Sequence, residues 1–162
     1  MDLPKRRPNR LSDFDYSMPG AYFITVCTKD RKCILWNSVG ASIARPQKPQ
    51  LSPYGRIVDR AIRNIENHYP AISVDHFVVM PNHVHLLLQI HTDLDGRAML
   101  APTVSRVVQQ MKGIVTKQIG YSIWQKLFHD HVIRNEKDYL KIWEYIDNNP
   151  ARWEEDCFYK EE

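Results

Sequence analysis

Two histidines set two residues apart, His83 and His85, lie in the run Asn82-His83-Val84-His85-Leu86-Leu87-Leu88-Gln89-Ile90. The run is apolar and favours β structure, and on a strand residues i and i+2 project from one face. Val84 then points the other way, toward a core. Two neutral imidazoles side by side are natural ligands for a metal ion. A strand carrying two solvated histidines satisfies the same pattern, so the chemistry has to be argued from the rest of the chain.

Tyr145 and Asn149 carry that argument. On a helical wheel starting at Asp138, the residues Tyr139, Ile142, Trp143 and Ile146 form one apolar stripe, and Tyr145 falls outside it. Asn149, four residues later, shares the face of Tyr145. A phenol and a carboxamide are thus presented together at the C-terminal end of a helix, although an amphipathic boundary Tyr followed by a C-capping Asn looks the same. Joined to the histidines they make a consistent set. Two imidazoles and one amide oxygen can hold a divalent cation with positions left for phosphate oxygens. Such a cation orients and polarises a scissile phosphate. Tyr145 is then the nucleophile, displacing a sugar oxygen to form a phosphotyrosine link. A phenol with a pKa of about 10 needs an activated electrophile, which the cation supplies.

These groups need a strand and a helix to bring them together. Ala21 to Cys27 is rich in β-branched and aromatic residues after Pro19-Gly20 and reads as a first strand. Residues 37–54 hold three prolines and form a loop excursion. Ile57, Val58, Ile62 and Ile65 predict a helix from Tyr54 to His68, stopped by Pro70. Ile72 to Met80 is a second strand, turning at Pro81-Asn82 into a third, His83 to Ile90. Residues 91–102 form a polar loop. Thr103 caps a helix to Ile119 with the stripe Val104, Val107, Val108, Met111, Ile114 and Val115. Trp124 to Ile133 is a fourth strand. Asn135 caps the last helix, with Asp138 completing an approximate capping box and Pro150 lying just beyond the end. The order predicts an α+β, ferredoxin-like or RRM-like sandwich: a four- to five-stranded antiparallel sheet with helices on one face.

The 162 residues suit one domain, expected over 21–162, with residues 1–20 as a basic arm holding Lys5, Arg6, Arg7 and Arg10. Such an arm can follow a phosphate backbone or remain a solvated tail. Residues 151–162 carry two cations against five carboxylates, so the rest of the chain holds a net +6. Cys27, Cys33 and Cys157 form no CxxC pair and read as reduced thiols. No run reaches the roughly 18 apolar residues of a membrane span and no apolar signal core opens the chain, so a cytoplasmic protein is expected.

Other polar groups have weaker claims. His129 and His131 form a second alternating pair, but Asp130 between them faces away, so a structural or DNA-contacting role suits His131 better than a metal. His68, His76 and His91 are isolated. Arg106, Lys112 and Lys117 read as a solvated helix face. Tyr121, Trp124 and Phe128 could stack on unpaired bases, with core packing favoured for Phe128.

His83-Val84-His85 resembles the His-hydrophobe-His motif of the HUH single-strand DNA nucleases. Met80-Pro81-Asn82-His83-Val84-His85-Leu86, His131 to Tyr139, and Tyr145-Ile146-Asp147-Asn148-Asn149-Pro150 are similar in order and spacing to the REP-associated tyrosine transposases and their insertion-sequence relatives. The resemblance runs from about Tyr22 to Tyr159. It implies an HUH nuclease core, Mg²⁺ or Mn²⁺ dependence, and a 5′-phosphotyrosine intermediate. The DNA expected is single-stranded and cleaved near a hairpin, and association with the nucleoid follows when it is bound. By position His83, His85 and Asn149 become metal ligands, Tyr145 the nucleophile, and Arg134 and Asn135 DNA-backbone contacts. Insertion-sequence members more often have Gln where this chain has Asn149, which points to the REP-associated branch. Both monomers and homodimers that exchange the tyrosine helix are compatible with the resemblance. A non-cleaving hairpin binder on the same fold is the alternative, and Gly20 to Val26 faintly suggests an RRM-type RNA binder.

Overall fold

The computed structural model describes residues 16, 18–37, 50–91 and 103–158. The basic group Lys5, Arg6, Arg7 and Arg10, most of the 37–54 excursion and the 92–102 loop lie outside the described residues. The elements are β1 (Gly20–Cys27), α1 (Pro53–Arg63), α2 (Ile65–His68), β2 (Ile72–Val79), β3 (His83–Ile90), α3 (Val104–Ile119), β4 (His129–Ile133) and α4 (Glu136–Asn148). Single 3₁₀ segments follow β1 and α4, at Lys29–Arg31 and Pro150–Glu155.

The four strands run in the order β2-β3-β1-β4, each pair antiparallel. This is the split βαβ arrangement of a ferredoxin-like sheet. β1 and β3 are central, and their register places Cys27 opposite His83 and Thr25 opposite His85. Central strands are covered on both faces and so are apolar at both parities. Ile24, Val26, Val84, Leu86 and Leu88 join the larger core, shared with Val58 and Ile62 of α1 and Val104, Val108 and Met111 of α3. Leu87 and Phe23 alternate to the opposite face and meet Ile142 and Ile146 of α4. Helices therefore cover both faces, not the single face expected. The cause is the run Leu86-Leu87-Leu88, which leaves neither face of β3 polar enough to remain open to water.

Local signals account for the helix ends. Ser52 accepts the Gly55 N–H at 3.0 Å, with Pro53 in the first turn of α1. A Cβ on Gly55 would collide with the Leu35 carbonyl, so the start of α1 packs against the Leu35 segment only with glycine there. The helix predicted through His68 breaks at Asn64, and α2 is a single turn. Thr103 accepts the Arg106 N–H, and Gly120, at φ 96°, ends α3 in the left-handed region.

β4 is shorter than the predicted Trp124–Ile133. Trp124 forms only an isolated bridge with Thr28. The ammonium of Lys112 donates to the Gln125 carbonyl at 2.7 Å, so this half-buried lysine ties α3 to the segment before β4 and is not part of a solvated face.

Candidate metal and nucleophile site

β3 places both imidazoles on the α4 side of the sheet, and both are buried: His83 is 0 % exposed and His85 1 %. Their Nε2 atoms lie 3.0 Å apart. The reading of two solvated histidines is thereby removed. Val84 points into the opposite core, as alternation requires.

Each ring is held from behind at Nδ1. The Asn82 carboxamide donates through Nδ2 to the carbonyls of Phe158 (2.8 Å) and Arg31 (3.3 Å), which fixes its orientation. Its Oδ1 then accepts from His83 Nδ1 at 2.8 Å, leaving His83 Nε2 as a bare lone pair. Thr25, directly across from His85 in the β1–β3 register, lies 2.8 Å from His85 Nδ1 through its hydroxyl. Phe23 stacks on the His85 ring at 5.1 Å between centroids. Metal-binding histidines are oriented by such partners on the far nitrogen.

α4 supplies the remaining groups. Ile142 and Ile146 bury its apolar stripe, and Tyr139 and Trp143 flank them. Tyr145, 41 % exposed, stands off that stripe with its ring 5.3 Å from His85 and 6.1 Å from Phe23, edge-on to both. Asn149 follows one turn later and is buried. Its Nδ2 donates to Asp156 at 2.7 Å, while its Oδ1 is buried without a hydrogen-bond partner. Tyr145, Asn149, Asp156 and Cys157 line a cleft of about 470 Å³ whose walls also carry Lys141 and Arg152.

Burial sets the protonation states. It pushes the His83 imidazole down to about 4, against the opposing pull of the Asp156 carboxylate. It holds His85 well below the ordinary range, with His83 beside it acting in the same direction. Both rings are therefore neutral near pH 7, with lone pairs free for a cation. Desolvation, then Asp156 and Cys157, push the Tyr145 phenol up to about 12, while Asn149 pulls the other way. The buried Cys27 thiol, pushed up to about 11 by desolvation, is protonated and unsuited to be a thiolate ligand.

The donor set fits a divalent cation. In an octahedral shell at about 2.1 Å, neighbouring ligand atoms are about 3.0 Å apart, the separation of the two imidazole nitrogens. The orphaned Asn149 oxygen is the kind of buried acceptor that a cation satisfies.

Four of the sequence-predicted residues converge here: His83, His85, Tyr145 and Asn149. Arg134 and Asn135 do not. They are exposed at the opposite end of α4, and Asn135 is occupied as its cap, accepting the Asp138 N–H at 2.8 Å. The Asp138 carboxylate does not close the expected capping box; it bonds His131 at 2.8 Å, which gives that histidine a structural partner. Four further groups escaped the sequence reading: Asn82, Thr25, Asp156 and Phe158. The Phe158 ring sits 4.7 Å from His83 and 6.2 Å from His85. Asn82 and Thr25 were legible in principle, one beside the His pair and one in a partner strand. Asp156 and Phe158 arrive only because the chain folds back after Asn149.

Comparison with known proteins agrees with this architecture. No protein-family model matches the chain. A Haemophilus influenzae protein of uncharacterised function is 33% identical over 173 residues, covering 95% of this chain and 93% of that protein. A REP-associated tyrosine transposase of Escherichia coli is 26% identical over 138 residues, covering 85% of this chain and 70% of that protein. Among solved structures, a REP-associated tyrosine transposase bound to a REP hairpin matches with a TM-score of 0.63 and 24% identity, over 88% of this chain and 74% of that one. Among the described residues, no helix is long and apolar enough to cross a membrane. In sequence the chain is similar to REP-associated tyrosine transposases, and it shares the α+β fold of one of them.

Proposed function

We propose that the chain is a metal-dependent endonuclease and strand transferase for single-stranded DNA, with Tyr145 as nucleophile. One observation carries the reading: His83, His85, Asn149 and Tyr145, spread over 67 positions of sequence, come together, with the imidazole Nε2 atoms 3.0 Å apart, the Tyr145 ring 5.3 Å from His85 and the Asn149 carboxamide beside both His83 and Tyr145. His83 Nε2, His85 Nε2 and Asn149 Oδ1 would hold the cation, Mg²⁺ or Mn²⁺. When bound, that cation supplies Lewis-acid polarisation and orientation of the scissile phosphate. The Tyr145 oxygen attacks phosphorus, the new O–P bond forms as the P–O3′ bond breaks, and the phenolic proton leaves to water. The products are a 5′-phosphotyrosine and a 3′-oxygen that takes up a proton as a free hydroxyl. Attack by that hydroxyl reverses the step and joins strands.

Lys141 and Arg152, on walls that also carry Glu144 and Asp156, offer phosphate contacts. Tyr145 packs on His85 of its own chain, which supports a site complete in one subunit. The hairpin in the solved relative supports a hairpin-bearing DNA strand as the substrate. The test is an oligonucleotide with a hairpin and a single-stranded flank, incubated with Mn²⁺. The expected result is a covalent protein–DNA adduct that Tyr145→Phe loses; equal adduct from that variant sinks the assignment.

A second reading, a hairpin-binding module that does not cleave, draws on Phe158 lying over both imidazoles. It requires DNA affinity independent of both metal and Tyr145, with no adduct at any Mn²⁺ concentration. The RNA-binding alternative has less support, because α4 covers a sheet face that RRM-type modules use for base stacking.

A further inference from the structure

We infer that Asp156 is a further protein ligand of the divalent cation, delivered by the segment that folds back after α4. The inference rests on the proposed metal site at His83, His85 and Asn149 and adds a charged oxygen to it.

Three acceptors, His83 Nε2, Asp156 Oδ2 and Asn149 Oδ1, lie in one buried spot beside His85 Nε2. His83 Nε2 is a lone pair, because Asn82 holds the proton on Nδ1. Asp156 Oδ2 stands 3.7 Å from that lone pair, and both side chains are completely buried. Asn149 Oδ1 makes no hydrogen bond of good geometry, although its carboxamide adjoins the His83 imidazole. Asp156 is oriented by two donors, Asn149 Nδ2 at 2.7 Å on Oδ2 and the Phe158 N–H at 2.8 Å on Oδ1. The Asn149 donor and the His83 lone pair thus share the same carboxylate oxygen, Oδ2. Facing acceptors in a desolvated pocket are unfavourable unless a cation lies among them. One ligand atom from each of His83, His85 and Asp156 falls within 4.8 Å of the others. An octahedral shell spans about 3.0 Å between neighbouring ligands and about 4.2 Å across, so small side-chain shifts suffice.

The consequence is chemical. Two imidazoles and an amide form a neutral set; Asp156 brings one negative charge and a second hard oxygen, which suits Mg²⁺ or Mn²⁺ better than a softer ion. Metal binding then also fastens residues 150–158 over the site.

The test is Mn²⁺ binding to the full-length chain, followed by the electron paramagnetic resonance signal of free Mn²⁺. Asp156→Ala and the isosteric Asp156→Asn are expected to weaken Mn²⁺ binding about tenfold or more, the range seen for losing a group that supports a metal site. Melting of the metal-free protein should stay near that of the parent for Asp156→Asn. A changed visible spectrum of bound Co²⁺ in that variant, at saturation, would mark altered coordination, which a merely structural role does not produce. His85→Ala separates the two levels. If it abolishes Mn²⁺ binding while both Asp156 variants bind within twofold of the parent, the Asp156 inference is overturned and the metal site stands. If His85→Ala binds Mn²⁺ like the parent, the metal site itself fails and the inference falls with it. Tighter binding by Asp156→Asn likewise overturns the inference.

Discussion

Asn82 dictates which nitrogen of His83 is free: its Oδ1 takes the Nδ1 proton at 2.8 Å, and its own orientation is locked by the Phe158 and Arg31 carbonyls. The turn between β2 and β3 thus sets the tautomer of the first proposed metal ligand. Asn82→Ala is expected to weaken Mn²⁺ binding by about 10- to 100-fold. It should also lower stability by about 1–3 kcal/mol, since it leaves buried groups unpaired. Titration calorimetry and urea melts of the same variant check both; unchanged metal affinity would remove Asn82 from the site.

The two buried imidazoles predict a stability profile. Their folded-state values lie below the ordinary value of 6.5, at about 4 for His83 and well below it for His85. Between pH 6.5 and about 4 the unfolded chain binds protons that the fold refuses. Stability of the metal-free protein is therefore full above pH 6.5 and falls as pH drops through that window, by up to about 1.4 kcal/mol per pH unit for each histidine. Denaturant melts at pH 7, 6 and 5 should show the decline, and His85→Asn should flatten it between pH 6.5 and 5. A parent profile flat over that range contradicts the burial argument.

Ile146 decides whether Tyr145 is where it needs to be. It is 1 % exposed and packs with Ile142 against Leu87 and Phe23. Ile146→Ala should cost about 2–5 kcal/mol. Because it loosens α4 on the sheet, adduct formation should also fall in the molecules that remain folded. Circular dichroism melts and a single-turnover adduct assay at low temperature distinguish the two effects.

The cations of the cleft predict salt behaviour. Lys141→Ala and Arg152→Ala should each weaken binding of a single-stranded oligonucleotide and lower the slope of log affinity against log salt by about 0.7. Fluorescence anisotropy at several salt concentrations measures it. An unchanged slope in both variants would place the DNA path elsewhere.

Phe158 covers both imidazoles, and its ring is itself overlain by the Arg31 guanidinium at 5.5 Å. On the proposed reaction, that ring stands beside the imidazoles that would meet the DNA. Phe158→Ala should raise the rate of adduct formation several-fold while leaving the metal-free fold intact, as read by the adduct assay and a thermal melt. A slower rate at unchanged metal affinity would instead make the ring part of the DNA-binding surface.

Much of this site was legible in the sequence because it depends on local periodicity. The two-residue spacing of His83 and His85 on a β-favouring run fixes their common face. The four-residue spacing of Tyr145 and Asn149 outside the Ile142–Ile146 stripe does the same on a helix. Antiparallel strand order followed from the alternation of elements. Tertiary structure alone decided which sheet face α4 occupies, because Leu86-Leu87-Leu88 is apolar at both parities and periodicity cannot choose between them. It also decided that Thr25 stands behind His85, a matter of register between strands 60 residues apart. The place of Asp156 beside His83 depends on how the chain turns after Asn149, where a short 3₁₀ segment sets direction by packing and not by any pattern along the chain.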